Sequence, residues 1–119
     1  GPGVQQAWTS TWSNDLAVST PATPTGVVRH VVVALDATGD VMTLYVNGVA
    51  VGTATKTDGN TLNAHSGDIG IGAMRNATRF HDGNAGGDGF HYAGVLDEVA
   101  LYNAALTPAQ VATHYAAGS

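Results

Sequence analysis

The sequence predicts an all-β protein, an antiparallel β-sandwich that ends in a short C-terminal helix. Short apolar, β-branched runs recur along the chain and are separated by glycine, proline, asparagine and aspartate, which is typical of such sandwiches. An Asn47-Gly48 pair lies between two of these runs and is the strongest short hairpin signal. The chain has one glutamate and one lysine among 119 residues, which argues against a protein built from long helices.

Composition bounds the class of protein. Charged residues make up 11% and apolar residues 44% of the chain, against about 25% charged residues in an average protein. Such a chain can build a core and is not disordered by charge repulsion. The formal net charge of −5 argues against a nucleic-acid partner. With no cysteine there is no disulfide framework and no thiolate metal site.

We interpret residues 1–3 as the remnant of a cleaved expression tag and residues 4–119 as a single domain. Residues 4–20 predict one or two short strands, followed by a loop over 21–26 with two prolines and a glycine. Residues 27–35 are almost continuously apolar, which predicts a strand that is buried or nearly so. No apolar run approaches the length of about 20 residues that crosses a bilayer.

A three-stranded meander is predicted next. Residues 36–40 form a turn between the strand over 27–35 and a second strand over 41–46. The Asn-Gly pair favours a type I′ turn, since both of its residues tolerate positive φ. Residues 49–54 then return as the third strand.

The C-terminal third predicts two further strands, over 68–73 and 90–102, joined by a long loop over 74–89. Loops of that length are uncommon unless they have a function. A helix is predicted to open at Thr107, which is a suitable N-cap, with Pro108 in the first helical position. Gln110 then occupies the third position of a capping box.

Three stretches resemble a known family. Residues 29–36 (RHVVVALD) resemble its "WHHVAvtyD" strand, and residues 44–48 (LYVNG) resemble "lYvNG". Residues 92–111 (YAGVLDEVALYNAALTPAQV) resemble "fnGlIDEVriYnraLs..ei" and are the most specific of the three. The family is the concanavalin A-like laminin-G module, of the laminin-G and pentraxin type. The resemblance implies a jelly-roll sandwich.

Two departures from the family pattern matter. Arg29 replaces the tryptophan that precedes the histidine. The family has several strands before that point, whereas 26 residues (4–29) precede it here. The resemblance therefore implies a C-terminal part or truncated form of the domain that lacks N-terminal strands and has an open edge and an uncovered apolar face. The alternative is that residues 4–20 close a smaller sandwich.

The sequence predicts no enzyme. A glycosidase needs two carboxylic acids about 5–9.5 Å apart, and the one glutamate, Glu98, is adjacent to Asp97. On the predicted strand these neighbours would point to opposite faces. No Gly-x-Ser-x-Gly nucleophile elbow is present. His30 is expected to be packed in the core, and His114 to pack or cap on the terminal helix.

The long loop over 74–89 is the candidate ligand site. Arginine, asparagine and an aromatic ring together suit a sugar, through planar donors and ring stacking. The alternative is that the arginines neutralise nearby aspartates. The predicted ligand-binding residues are Arg75, Asn76, Arg79, Phe80 and His81.

Calcium is the predicted ion, because the same loop offers oxygen side chains among glycines that let carbonyls turn inward. The loop's predicted ligands are Asp82, Asn84 and Asp88. The family resemblance adds Asp97, since laminin-G-like modules often hold a calcium at the sandwich edge. The alternatives are a solvated loop and an Asp97 that caps a neighbouring backbone group.

The preferred function is a non-catalytic binding or adhesion module of an extracellular multidomain protein that recognises carbohydrate or a protein surface, and a bacterial source is expected. One alternative is a structural half-domain completed by a second copy or by a separate N-terminal fragment. Another is an accessory domain of a carbohydrate-active enzyme. The predicted partners are a glycan or protein ligand and a second chain, without nucleic acid or a membrane span, and the predicted location is secreted or cell-surface.

Overall fold

A computed structural model describes residues 6–9, 16–19, 25–36, 38, 40–55, 71–73, 88–89 and 91–118. Its elements are β1 (Gln6–Thr9), β2 (Leu16–Ser19), β3 (Val31–Asp36), β4 (Val41–Val46), β5 (Val49–Thr55) and α1 (Pro108–Gly118). All strand pairs are antiparallel and form a two-stranded sheet, β1-β2, and a three-stranded sheet, β3-β4-β5. The predicted class, mostly antiparallel strands with a short C-terminal helix, is confirmed.

The meander matches the prediction closely. Asn47 and Gly48 have φ values of 50° and 80°, the left-handed conformation that a type I′ turn requires at both positions. The register pairs Val33 with Leu44 across β3 and β4, and a bulge follows between Leu44 and Tyr45 where β4 meets β5. The Asn47-Gly48 turn therefore sets the pairing of β4 with β5.

The central strand β4 is buried on both faces. Met42 and Leu44, exposed by 2% and 1%, form one cluster with Leu35 and Ala54. Tyr45 faces the other way and packs with residues of β3 and with the fully buried Val111 of α1. Strand β2 lies against β4 and β5, and α1 lies against β5. Burial of Tyr45 and Val111 against each other holds the helix to the sheet.

The helix begins as predicted. The backbone N–H of Gln110 donates to Thr107 Oγ1 at 3.2 Å, and the Thr107 N–H donates to Gln110 Oε1 at 2.9 Å. This reciprocal pair is a capping box. It orients the first turn so that Val111 reaches the sheet.

Three strand predictions are wrong in part. The strand predicted over 27–35 begins at Val31 rather than at Val27, and it is not buried throughout, since Val31 and Val33 are each 46% exposed. Of the strand predicted over 68–73, the described residues 71–73 form a bend. Apolar residues at these places satisfy the pattern of a strand, but a strand also needs a hydrogen-bonded neighbour.

The strand predicted over 90–102 is the largest error. Residues 91–102 lie outside any regular element and are exposed throughout. The predicted loops over 21–26 and 74–89 fall mostly outside the described residues. Thr25, Gly26 and Asp88 lie in bends.

Candidate functional site

The hairpin and the helix meet at one junction. The backbone N–H of His30 donates to Asn47 Oδ1 at 3.0 Å, and the N–H of Asn47 donates to the carbonyl of His30 at 2.8 Å. Asn47 thus ties the start of β3 to the hairpin turn. A Cβ on Gly48 would stand 3.0 Å from Cδ1 of Tyr115, so the turn and the helix approach as closely as a glycine allows.

His30 is a packed residue, in keeping with the sequence expectation. Its ring lies 6.0 Å from the ring of Tyr115, centroid to centroid, with a 39° tilt. Nδ1 of His30 is buried and has no hydrogen-bond partner within the described part of the chain.

An exposed aromatic pair lies on the other side of the helix. Tyr102 and His114 have ring centroids 5.7 Å apart, and the Tyr102 hydroxyl lies 3.4 Å from Nδ1 of His114. Sequence reasoning expected His114 to pack but did not find this partner.

The sequence argument that a strand would point Asp97 and Glu98 to opposite faces does not hold, because neither residue lies on a strand and both are exposed. Asp97 Oδ1 accepts the backbone N–H of Glu98 at 2.8 Å, and Glu98 has a φ of 52°. This is the capping alternative considered for Asp97, since the carboxylate holds a left-handed turn.

The predicted ligand loop lies largely outside the described residues. This holds for every predicted ligand-binding residue: Arg75, Asn76, Arg79, Phe80 and His81. It also holds for Asp82 and Asn84 of the predicted calcium site. Asp88 is described and exposed.

Acidic and histidine side chains are scattered over the described part of the chain. Across the described ranges, no group of three or more histidine, cysteine, aspartate or glutamate side chains is placed to hold a metal. Asp97 has one carboxylate oxygen engaged by its neighbour's amide. Calcium needs six to eight oxygen ligands, so the predicted site depends on the loop residues Asp82 and Asn84.

The comparison with known families shows to which family the chain belongs. The sequence profile described as "Concanavalin A-like lectin/glucanases superfamily", of the Laminin_G_3 family, matches residues 3–112. The chain belongs to this family. A laminin-G-like domain of this superfamily is typically a binding module. A search of curated proteins found no match.

A solved structure supports the fold of this laminin-G-like chain. It is a crystal structure of residues 221–444 of an S-layer domain-containing protein from Clostridium thermocellum, with a TM-score of 0.56 and 22% sequence identity. The match covers 95% of the present chain and 52% of the other, so the laminin-G-like chain spans about half the length of that structure. Within the described residues, no helix is long and apolar enough to span a bilayer.

Proposed function

We propose that the chain is a non-catalytic recognition module of a secreted or cell-surface protein, which binds a carbohydrate or a protein surface. The observation that carries the proposal is the family match over residues 3–112, whose description includes lectins. The S-layer description of the structural neighbour supports a cell-surface location.

The non-catalytic part rests on the carboxylates. The superfamily description also includes glucanases, and hydrolysis of a glycoside requires two separated carboxylic acids. The one glutamate of the chain is Glu98. In its neighbour Asp97, one carboxylate oxygen accepts a hydrogen bond from the backbone N–H of Glu98. Glu98 lies exposed in a left-handed turn, and an exposed carboxyl group is poorly placed to act as a general acid.

The proposed binding site is the loop that carries Arg75, Asn76, Arg79, Phe80 and His81. A glycan array and an array of extracellular matrix proteins test it. We expect binding by the wild-type chain and at least a tenfold loss in Arg79→Ala and Phe80→Ala. Arg29→Ala is the matched control, since Arg29 is an arginine outside the loop.

Two results would contradict this function. One is that neither array retains the chain, and the other is that the loop variants bind as the wild type does. Release of sugar from any bound glycan, lost in Glu98→Gln, would overturn the non-catalytic part.

A second candidate function is assembly with another polypeptide. It is favoured by apolar surface on the sheet: Val31 and Val33 of β3 lie on the same face as the buried Leu44, yet each is 46% exposed. Light scattering coupled to size-exclusion chromatography tests whether a second copy covers them. A monomer at all concentrations that also unfolds cooperatively would exclude self-assembly.

A further inference from the structure

The Asn47-Gly48 pair is chemically reactive as well as being a turn signal. In such a pair the backbone nitrogen of the second residue can attack Cγ, the side-chain carbonyl carbon of the asparagine. Glycine makes that attack easiest, because no Cβ shields its nitrogen. Every other asparagine of the chain is followed by aspartate, threonine or alanine. Asn47 is therefore the asparagine whose side chain is most prone to this chemistry.

The reaction closes a five-membered ring and then opens it. Once hydroxide has removed its proton, the Gly48 nitrogen forms a bond to Asn47 Cγ, the carboxamide C–N bond breaks, and ammonia leaves after taking a proton from water. A water molecule then adds to one of the two carbonyl carbons of the cyclic imide. Cleavage of the bond to Cγ leaves aspartate at this position. Cleavage of the bond to the main-chain carbonyl carbon leaves isoaspartate, whose main chain is one methylene longer.

The folded turn blocks the first step. The φ values of Asn47 and Gly48, 50° and 80°, match a type I′ turn, the mirror image of type I, with a ψ of about +30° at its first central residue. At that ψ the Cβ of Asn47 lies nearly opposite the Gly48 nitrogen across the Cα–C bond. Ring closure needs both atoms on the same side, so the main chain must rotate out of the turn before the nitrogen reaches Cγ.

Contacts from two distant segments resist that rotation. The His30 N–H donates to Asn47 Oδ1 at 3.0 Å, and the His30 carbonyl accepts the Asn47 N–H at 2.8 Å. Tyr115 of α1 packs over the turn, since a Cβ on Gly48 would lie 3.0 Å from its Cδ1, and its ring lies 6.0 Å from the ring of His30. Leaving the turn therefore disrupts both hydrogen bonds and the packing of the helix on Gly48.

We propose that Asn47 is a deamidation site that reacts when the junction of hairpin and helix opens, and that its isoaspartate product keeps the junction open. When opening and closing are fast relative to a slow reaction, the rate follows the population of the open form. The added methylene displaces the His30 contacts and shifts β5 relative to β4, because the turn sets their register. Deamidation thereby converts a transient opening into a permanent loosening of α1, whatever ligand the chain binds.

The wild-type full chain tests the protection. It is incubated at mildly alkaline pH with and without denaturing guanidinium chloride. Peptide mass spectrometry follows deamidation at each asparagine, and enzymatic methylation quantifies isoaspartate. Asn103, which is exposed and followed by alanine, is the internal control. We expect Asn47 to react at least tenfold more slowly in the folded chain than in denaturant, and Asn103 to change less than threefold.

Variants of Tyr115 test the role of the helix. Tyr115→Ala removes the ring that packs on Gly48 and should raise the rate at Asn47 at least threefold in the folded chain, without changing it in denaturant. Tyr115→Leu, a smaller loss of contact, gives the same test should the alanine variant fail to fold. Tyr115→Phe keeps the ring and is the matched control. Gly48→Ala tests the chemistry, and in denaturant it should slow the reaction at least tenfold.

The isoaspartate form, isolated by chromatography, tests the consequence. Hydrogen exchange in α1 should be at least tenfold faster in this form than in Asn47→Asp, which carries the same charge on an unaltered main chain.

Four outcomes would each overturn part of the proposal. Equal rates at Asn47 with and without denaturant would refute protection by the turn, and no reaction in denaturant would refute the site itself. Wild-type rates in folded Tyr115→Ala or Tyr115→Leu would exclude the helix from the protection. Equal exchange of α1 in the isoaspartate form and in Asn47→Asp would refute the loosening.

Discussion

Asn47 and His30 bind each other twice, side chain to backbone at 3.0 Å and backbone to backbone at 2.8 Å. The two residues are 17 positions apart, and the contact joins the hairpin turn to the segment that enters β3. The same turn supports Tyr115 of the helix through Gly48. One asparagine thus connects a local turn to the packing of the C-terminal helix.

The first prediction concerns the side chain of Asn47. Asn47→Gly keeps the left-handed turn but removes the acceptor for the His30 amide, and should lower the free energy of unfolding by about 1–2 kcal/mol. Asn47→Ala should cost about 1–2 kcal/mol more, because alanine is strained at positive φ. Asn47→Asp retains the acceptor and is the control. Urea unfolding measures all three, and equal stability of the glycine and aspartate variants would refute a role for the hydrogen bond.

The second prediction separates backbone strain from close packing at Gly48. Gly26 and Gly48 have nearly equal φ values of 78° and 80°, but a Cβ at Gly26 would meet nothing within 4 Å. Gly26→Ala should therefore cost only the left-handed strain, about 1–2 kcal/mol. Gly48→Ala should cost about 1 kcal/mol or more beyond that, since the new methyl group crowds Tyr115. Thermal unfolding compares the two, and equal losses would show that the Tyr115 contact yields freely.

The third prediction compares two valines. Val111 is fully buried between the helix and the sheet, whereas Val95 is 88% exposed. Val111→Ala should destabilise the chain by about 1–3 kcal/mol through lost burial and a residual cavity. Val95→Ala should change stability by less than about 0.5 kcal/mol. Chemical denaturation measures the free energy of unfolding of both variants. If Val95→Ala lowers it as much as Val111→Ala does, residues 91–102 are covered in solution.

The fourth prediction concerns calcium. A site formed in the folded chain should raise the melting temperature on addition of calcium, with about 2.7 kcal/mol of stabilisation at a hundredfold excess over Kd. Asp82→Asn and Asn84→Ala should abolish the rise, and Asp97→Asn should weaken it. Chelator-treated protein and magnesium are the controls. Identical melting curves in excess calcium and excess chelator would eliminate the predicted ion.

Local signals predicted the elements that depend on neighbours in the chain. The Asn47-Gly48 turn and the Thr107 cap involve residues no more than a few positions apart, so the same sequence produces the same geometry wherever it lies. The β4–β5 hairpin follows, because a tight turn sets the register of the strands that flank it.

Residues 91–102 show where such signals stop. Alternating apolar residues predict which side chains would share one face of a strand. A strand forms only where its backbone N–H and C=O groups find hydrogen-bond partners on a neighbouring strand. The sequence also misjudged residues 27–33, because continuous apolar character predicts burial only where another layer covers the sheet. The reciprocal contact between His30 and Asn47, and the Tyr102–His114 pair, join distant segments and had no local signature.

By itself the sequence determined the all-β class, the family, the meander with its type I′ turn and the start of the helix, because these follow from residue type and short-range spacing. Only the tertiary structure decided which strand faces are covered and that the ring of His30 packs against Tyr115. It also decided that residues 91–102, which carry the strongest family resemblance, are exposed and form no strand. Those features depend on contacts between segments far apart in sequence, and the free energy of such contacts is set by the surface they remove from water.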